Sequence, residues 1–391
     1  MKLAINLVLS LGMLALCLWL VWPDAVERTQ LAEAVHALHF ADYAPYLALY
    51  LGLMVVVHVS RSVRWNNLLA PLNVKVPLGP LLAISSVGFM MIMALPARLG
   101  EFVRPGLLKQ KNYTTASAAL GTVAVERIVD GLVISLLVFV CFFARRGPDA
   151  PGWMMPTAYA ALGVFAAALV FIVFSMWRPK QTVSFCMKMS LLPRIAPRIA
   201  AAIEHKVLDM IRGFSVLKDG KNMTIFMLWT ILYWGTNGLG VWVLAKAFGL
   251  ELTMVGAFAT MGLLGVGISL PNSPGLVGQF QYFTLLGLGI YLGFDPNGKL
   301  HPPIYASALT FAIAQHLLQV AWYTAMGAIG LATKHVSFHD LALARKKVAP
   351  AEEAGDDAAD AAPPPVLPRA VDVSPADDRD RGGARGKDAG L

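Results

Sequence analysis

Charge is scarce in this chain: Asp, Glu, Lys and Arg make up 14% of its 391 residues, against 57% hydrophobic, and the mean hydropathy is +0.61. A water-soluble domain carries about a quarter of its residues charged, so a globular soluble class is excluded and an integral membrane protein is indicated. Cysteine is equally thin. Cys17, Cys141 and Cys186 lie in or beside apolar segments without metal-ligand spacing, which excludes a zinc site or a disulfide framework and leaves them as small core hydrophobes. Enzyme signatures are missing as well: there is no HExxH, no Gly-x-Ser-x-Gly, no Walker loop, no CxxC, and no Asp-x-Asp outside the terminal tail. No catalytic residue, cofactor or metal is therefore expected, and ATP-driven transport is disfavoured.

What is present is a series of long apolar runs, at 3–22, 43–60, 115–143, 156–177, 222–248 and 305–332, each near or above the roughly 20 residues that cross a bilayer. These predict about six full transmembrane helices in an all-α polytopic membrane protein. The first run passes Cys17 in "LALC", but Leu16 is too large for the residue before a cleaved cysteine and the run continues to Trp22, so an uncleaved anchor is expected. Two further pieces, 78–95 and 253–270, are shorter and stop at Pro and Gly. From Pro350 onward there are ten Asp or Glu and five Lys or Arg, out of 24 and 32 in the chain, so residues 1–349 hold 27 basic against 14 acidic side chains. That Ala-, Pro- and Asp-rich end cannot bury enough surface to offset its ordering entropy. The expected organisation is a membrane domain over 1–340 and a disordered cytoplasmic tail over 341–391.

Short loops rich in Lys and Arg stay in the cytoplasm. By that rule 23–42 falls outside, while both flanks of 78–95, with Arg61, Arg64 and Lys75 before it and Arg98, Arg104, Lys109 and Lys111 after it, fall inside. The piece must then enter and leave from one side, as a re-entrant hairpin. An amphipathic linker at 178–221 is cytoplasmic, both termini are cytoplasmic, and the second short piece dips from outside. Only the 144–155 loop, with Arg145 and Arg146, breaks the pattern. "LPARLG" (95–100) and "LPNSPG" (270–275) share Leu-Pro-x-x-x-Gly, and "AALGTVAVERIVD" aligns with "SALTFAIAQHLLQ". An inverted repeat follows, of about 43–143 and 222–332, a pattern that points to a translocation site near the midplane.

Broken helices in a bilayer expose backbone groups that only protein or a water-filled cavity can satisfy. Pro96 and Gly100 let the chain turn, and a helix start there with Arg98, Glu101 and Arg104 nearby would suit an anion, either as a substrate site or as ordinary cytoplasmic anchoring. The opposite hairpin offers Asn272, Ser273 and Gly275, as headgroup contacts or as helix caps. Glu126, about 17 Å along its span, lies near mid-bilayer with Arg127 and Asp130. These three form either a structural ion pair or the polar wall of a substrate path. Arg61 and Arg64 read as snorkelling anchors at the end of the second run, or as ligands.

"LPARLGEFVR", "VERIVD" and "LPNSPGLVGQF", in this order among about eight apolar segments, resemble the flippase-like family named after the transmembrane region of lysylphosphatidylglycerol synthase, over roughly residues 5–335. The resemblance implies a bacterial inner-membrane protein with paired re-entrant helices that moves a phospholipid or another anionic isoprenoid lipid between leaflets. Family members with a soluble aminoacyl-transferase domain carry it after the membrane region, where this chain has only its tail, so lipid aminoacylation by this chain alone is not expected. The family often has a glutamate near Gln281, and the neutral residue here weakens a proton-handling role for that hairpin. The expected function is a lipid translocase working by alternating access, with an anionic lipid substrate, bulk membrane phospholipids as partners, no nucleic acid, and homo-oligomerisation open. A membrane-embedded transferase acting on a lipid-linked substrate and a non-transporting scaffold are the competing classes.

Overall fold

The computed structural model describes residues 2–36, 40–95, 100–144, 152–190, 197–270, 273–294, 300 and 302–341. The chain divides into Met1–Ala349 and Pro350–Leu391, and the second unit lies outside the described residues, as does almost all of the expected tail. Among the described residues every regular element is helical, with one isolated bridge between Phe294 and Leu300.

The helices are α1 (Lys2–Val21), α2 (Ala25–His36), α3 (Phe40–Leu69), α4 (Leu78–Ala94), α5 (Val103–Gln110), α6 (Ala116–Ala144), α7 (Met154–Trp177), α8 (Pro179–Met189), α9 (Pro197–Arg212), α10 (Gly220–Ala247), α11 (Met254–Gly267), α12 (Gln279–Leu292) and α13 (Pro302–Ala332). Among the described residues four stretches are long and apolar enough to cross a membrane: Ala41–Leu72, Ala116–Ala144, Met154–Trp177 and Ile304–Ala332. Six were expected. Only Leu11–Val21 of the first run counts there, as a shorter apolar helix. The 28-residue α10 drops out because Thr230, Tyr233, Trp234, Thr236 and Asn237 dilute its apolar average, and the last four of these line the cavity described below. The loop at 23–42 contains α2, started by reciprocal bonds from the Asp24 N–H to Glu27 and from the Glu27 N–H to Asp24, at 2.7 and 2.8 Å.

Both short apolar pieces open antiparallel helical hairpins. In α4–α5, Gly88 faces Arg104 and Gly100 faces the Met91 backbone; in α11–α12, Gly267 faces Phe283, Thr260 faces Gly287 and Gly256 faces Tyr291. At 1.5 Å per residue α5 is about 12 Å long and α11 and α12 about 21 Å each, short of a hydrocarbon core roughly 30 Å thick. The packing is reciprocal: α3 lies along α10, α13 packs on α4, and α6 packs on α11, so each hairpin's first limb supports the long helix that follows the other hairpin.

Lipid supplies no hydrophobic drive between helices, so close approach through small residues matters. A Cβ on Gly121 would stand 2.0 Å from the Met210 carbonyl oxygen and one on Gly213 2.3 Å from that of Ala118; α6 therefore meets the end of α9 backbone to backbone. At the other end of the first hairpin, Lys111 donates to Asp340 at 2.7 Å, and the same carboxylate oxygen accepts from Ser337 N and Oγ at 2.9 and 2.8 Å. Burial would raise the Asp340 carboxyl, but Lys111 and the Ser337 donors outweigh it and hold it below its ordinary value. A lowered carboxylate stabilises above its ordinary pKa of about 3.9 and loses that contribution as the pH falls through the folded value. With 30% and 18% of the two side chains exposed, the pair contributes at most about 1 kcal/mol. Asp340→Asn is thus expected to lower the melting temperature slightly at neutral pH, and the gap to the native protein should close in acid.

Candidate functional site

The site begins with a span that carries too many polar groups for its position. Glu126, Arg127 and Asp130 share two turns of α6, and burying them without partners would be prohibitive. Their partners come from elsewhere in the sequence. Arg64 of α3, fully buried, forks onto Asp130 with bonds of 2.6 and 2.7 Å and reaches Glu126 at 3.1 Å. Arg104 of α5 donates to the other Glu126 oxygen at 3.1 Å, and Arg127 donates to Glu126 at 2.5 Å and forms an ion pair with Asp130 at 3.1 Å. Trp234 of α10 gives Asp130 a further donor at 3.1 Å. Four helices are locked by one charge-assisted network.

Aromatic faces hold the guanidinium groups in place. Arg104 lies 4.0 Å over the Trp65 ring, whose Nε1 is fixed by Thr122 at 3.0 Å, and Arg61 lies 4.0 Å over Phe89. Gly88 makes room for the arrangement, since a Cβ there would stand 2.2 Å from Arg104 Cγ. His58 Nε2 and Ser86 Oγ, 2.8 Å apart, tie α3 to α4 beside Phe89.

Beside this network is a cavity of about 130 Å³, lined by both hairpin tips and by α3, α6, α10 and α13. Ile92, Met93 and Glu101 come from the first hairpin, and Ile268, Leu276 and Phe280 from the second, with Met93 packed against the second tip. Arg61, Arg127, Gln315, Gln319 and Asn237 supply polar lining. Arg61 Nε, Arg127 Nε and Gln315 Oε1 are buried there without hydrogen-bond partners. Counting the whole cluster, four guanidinium groups (Arg61, Arg64, Arg104, Arg127) stand against three carboxylates (Glu101, Glu126, Asp130) among the described residues, a formal excess of one positive charge. Such an interior suits an anion. Its volume admits a phosphate-sized group, yet it is below the roughly 300 Å³ of ordinary small-molecule sites, so a whole headgroup needs the helices to part.

Nine of the twelve expected site residues fall into three groups. Arg61, Glu101 and Arg127 line the cavity; Arg64, Arg104, Glu126 and Asp130 form the network behind it. Arg98 and Asn272 lie outside the described residues. Gly100 is pressed against the Met91 carbonyl, where a Cβ would stand 2.3 Å away. The anchor reading of Arg64 is corrected: α3 runs on to Leu69 and the guanidinium is fully buried against Asp130 and Glu126 instead of snorkelling to a surface.

The second hairpin's loop uses its own polar groups. Ser273 Oγ donates to the Val277 carbonyl at 2.8 Å, and Gln279 bridges the Ser273 N–H (3.0 Å) and the Gly267 carbonyl (2.9 Å). His316 of α13 stacks on Phe280, pairs with Gln281 at 3.0 Å and meets the Gly275 carbonyl at 2.9 Å. Gly275 and Gly278, with φ of 61° and 76°, supply the left-handed turns. Ser273 and Gly275 therefore shape the tip, and their polar groups are already engaged. Sequence reasoning missed Trp65, Phe89, Tyr233 and Trp234; the one available signal was aromatic residues beside Arg or amide residues inside otherwise apolar helices.

Residues 4–327 match the family model described as the lysylphosphatidylglycerol synthase TM region. The chain belongs to that family. It is thus a membrane protein of a lipid-related family, and its buried arginine–carboxylate network lies within the matched region. A protein named glycosyltransferase AglD, from Haloferax volcanii, is 24% identical over 352 residues, covering 82% of this chain and 53% of that protein. The family member described here spans about half the length of that relative. No solved structure matches it.

Proposed function

We propose that the protein is a lipid translocase that moves an anionic phospholipid or polyprenyl-type lipid across a bacterial inner membrane by alternating access. The observation that carries this reading is the net-positive cavity at the meeting of two short hairpins inside an otherwise apolar protein. In this reading α3–α6 and α10–α13 are inverted repeats, α4–α5 re-enters from the cytoplasm and α11–α12 from outside, and both termini are cytoplasmic. The short limbs and the reciprocal packing support it. An anionic headgroup displaces cavity water and engages Arg61 and Arg127, while Gln315, Gln319 and Asn237 replace part of its hydration. Its acyl chains stay in lipid. Rocking one repeat against the other would open the cavity to each leaflet in turn, with the Glu126 network moving as a rigid body. The protein itself does no covalent chemistry.

Reconstitution tests this. Liposomes containing the protein should accelerate the exchange of a headgroup-labelled phosphatidylglycerol between leaflets well above protein-free liposomes, with the lipid recovered at unchanged mass. No acceleration would reject the proposal. A membrane-embedded transferase is the second reading, supported by the name of the Haloferax relative, and it predicts a covalently altered lipid in the same mass spectrum.

A further inference from the structure

We propose a second anion site, at the end of α7, that holds the phosphate headgroup of an anionic phospholipid and is separate from the central cavity. A cleft of about 350 Å³ lies between α7, α8, α9 and the turn Gly213–Lys218. Lys180, Arg212 and Lys218 stand around it, and Met176, Leu208 and Ile211 provide apolar lining. Ser215 Oγ, another lining group, is buried without a hydrogen-bond partner. Asp209 lies 3.6 Å from Arg212 and is already bonded to Thr115, and Asp219 follows Lys218 in the sequence. The cleft is thus lined by three basic residues, one of them paired with Asp209, and by an unused hydroxyl.

The depth of the cleft selects a lipid over a soluble anion. Phe171, Phe174 and Trp177 are exposed along α7, as expected of a lipid-facing helix, and Trp177, at 78% exposure, marks the membrane interface. Lys180 follows three residues later, so the cleft mouth sits at headgroup level. On α8, Lys180, Ser184 and Lys188 recur every four residues on one face, with Phe185 and Met189 exposed beside them, the pattern of a helix lying in the interface. A phosphate enters among the cations while the first carbons below it meet Met176, Leu208 and Ile211. A soluble anion has no use for that lining. The site does not depend on the translocase reading.

Native mass spectrometry of the full-length protein, titrated with phosphatidylglycerol or phosphatidylcholine, tests the proposal. The native protein should retain one more phosphatidylglycerol than Lys180→Gln/Arg212→Gln/Lys218→Gln, whose affinity for it should fall roughly 100-fold, with phosphatidylcholine retention equal in both. All three side chains are exposed, so the fold should survive, and the single substitutions carry the same test in smaller steps. A control pair, Lys75→Gln/Lys221→Gln, should bind like the native protein. Equal phosphatidylglycerol retention by native and triple-variant protein overturns the proposal, as does an equal loss in the control. Displacement by inorganic phosphate overturns the lipid assignment and leaves a site for a soluble anion.

Discussion

Asp130→Ala is expected to destabilise the folded protein more than any other substitution discussed. The Asp130 carboxylate accepts two bonds from Arg64 and one from Trp234 and pairs with Arg127, all within 3.1 Å, in a place almost without solvent. Removing it leaves Arg64 fully buried with Glu126 as its remaining carboxylate. Breaking one partner out of a buried ion pair costs about 3–5 kcal/mol, because the other charge stays desolvated. That is a large part of the 5–15 kcal/mol by which proteins are typically stable. The melting temperature in detergent should therefore fall steeply, far more than for Asp340→Asn. Removing both charges, as Arg64→Met/Asp130→Ala, should recover part of the loss, since no orphaned guanidinium remains. A native-like melting temperature for Asp130→Ala would mean that water reaches the network and screens it, against the burial of Arg64, Glu126 and Asp130.

The network shows how far the sequence could lead. Glu126, Arg127 and Asp130 stood out because three ionisable residues inside an apolar run must be paired or functional. Their partners did not. Arg64 is 62 residues before Glu126, and the apolar run within α3 fades at residue 60, so Arg64 looked like the end of a span and not part of a packed helix. What keeps α3 helical through "SRSVRWNN" is its long contact with α10, a tertiary effect with no local trace. The hairpins were legible for the opposite reason: a Pro and a Gly that halt an apolar run are local signals, and the antiparallel pairs Gly88 with Arg104 and Gly267 with Phe283 fall on either side of them. The roles within the first hairpin shifted. Arg104 was expected to face an anion, yet it is committed to Glu126 and stacked on Trp65; Arg61, read as an anchor or a ligand, is the guanidinium that lines the cavity and forms no ion pair among the described residues.

That difference makes Arg61→Ala the sharper test of transport. Among the described residues Arg61 makes no hydrogen bond; it rests on Phe89 with Tyr233 6.0 Å away, and its Nε is buried without a partner. Its removal costs the fold only that cation–π contact, about 0.5–2 kcal/mol. For an anionic headgroup the loss is a charge-assisted contact of about 1.5–3 kcal/mol, which corresponds to flux slower by roughly 10- to 150-fold. Arg61→Lys should lie between, because an ammonium keeps the charge but loses the planar fork that matches phosphate oxygens. Labelled phosphatidylglycerol and phosphatidylcholine, compared in the same liposomes, separate charge recognition from general damage: the first should slow strongly and the second little. Equal slowing of both lipids would assign Arg61 to holding the fold, and unchanged flux of both would remove it from the headgroup's path.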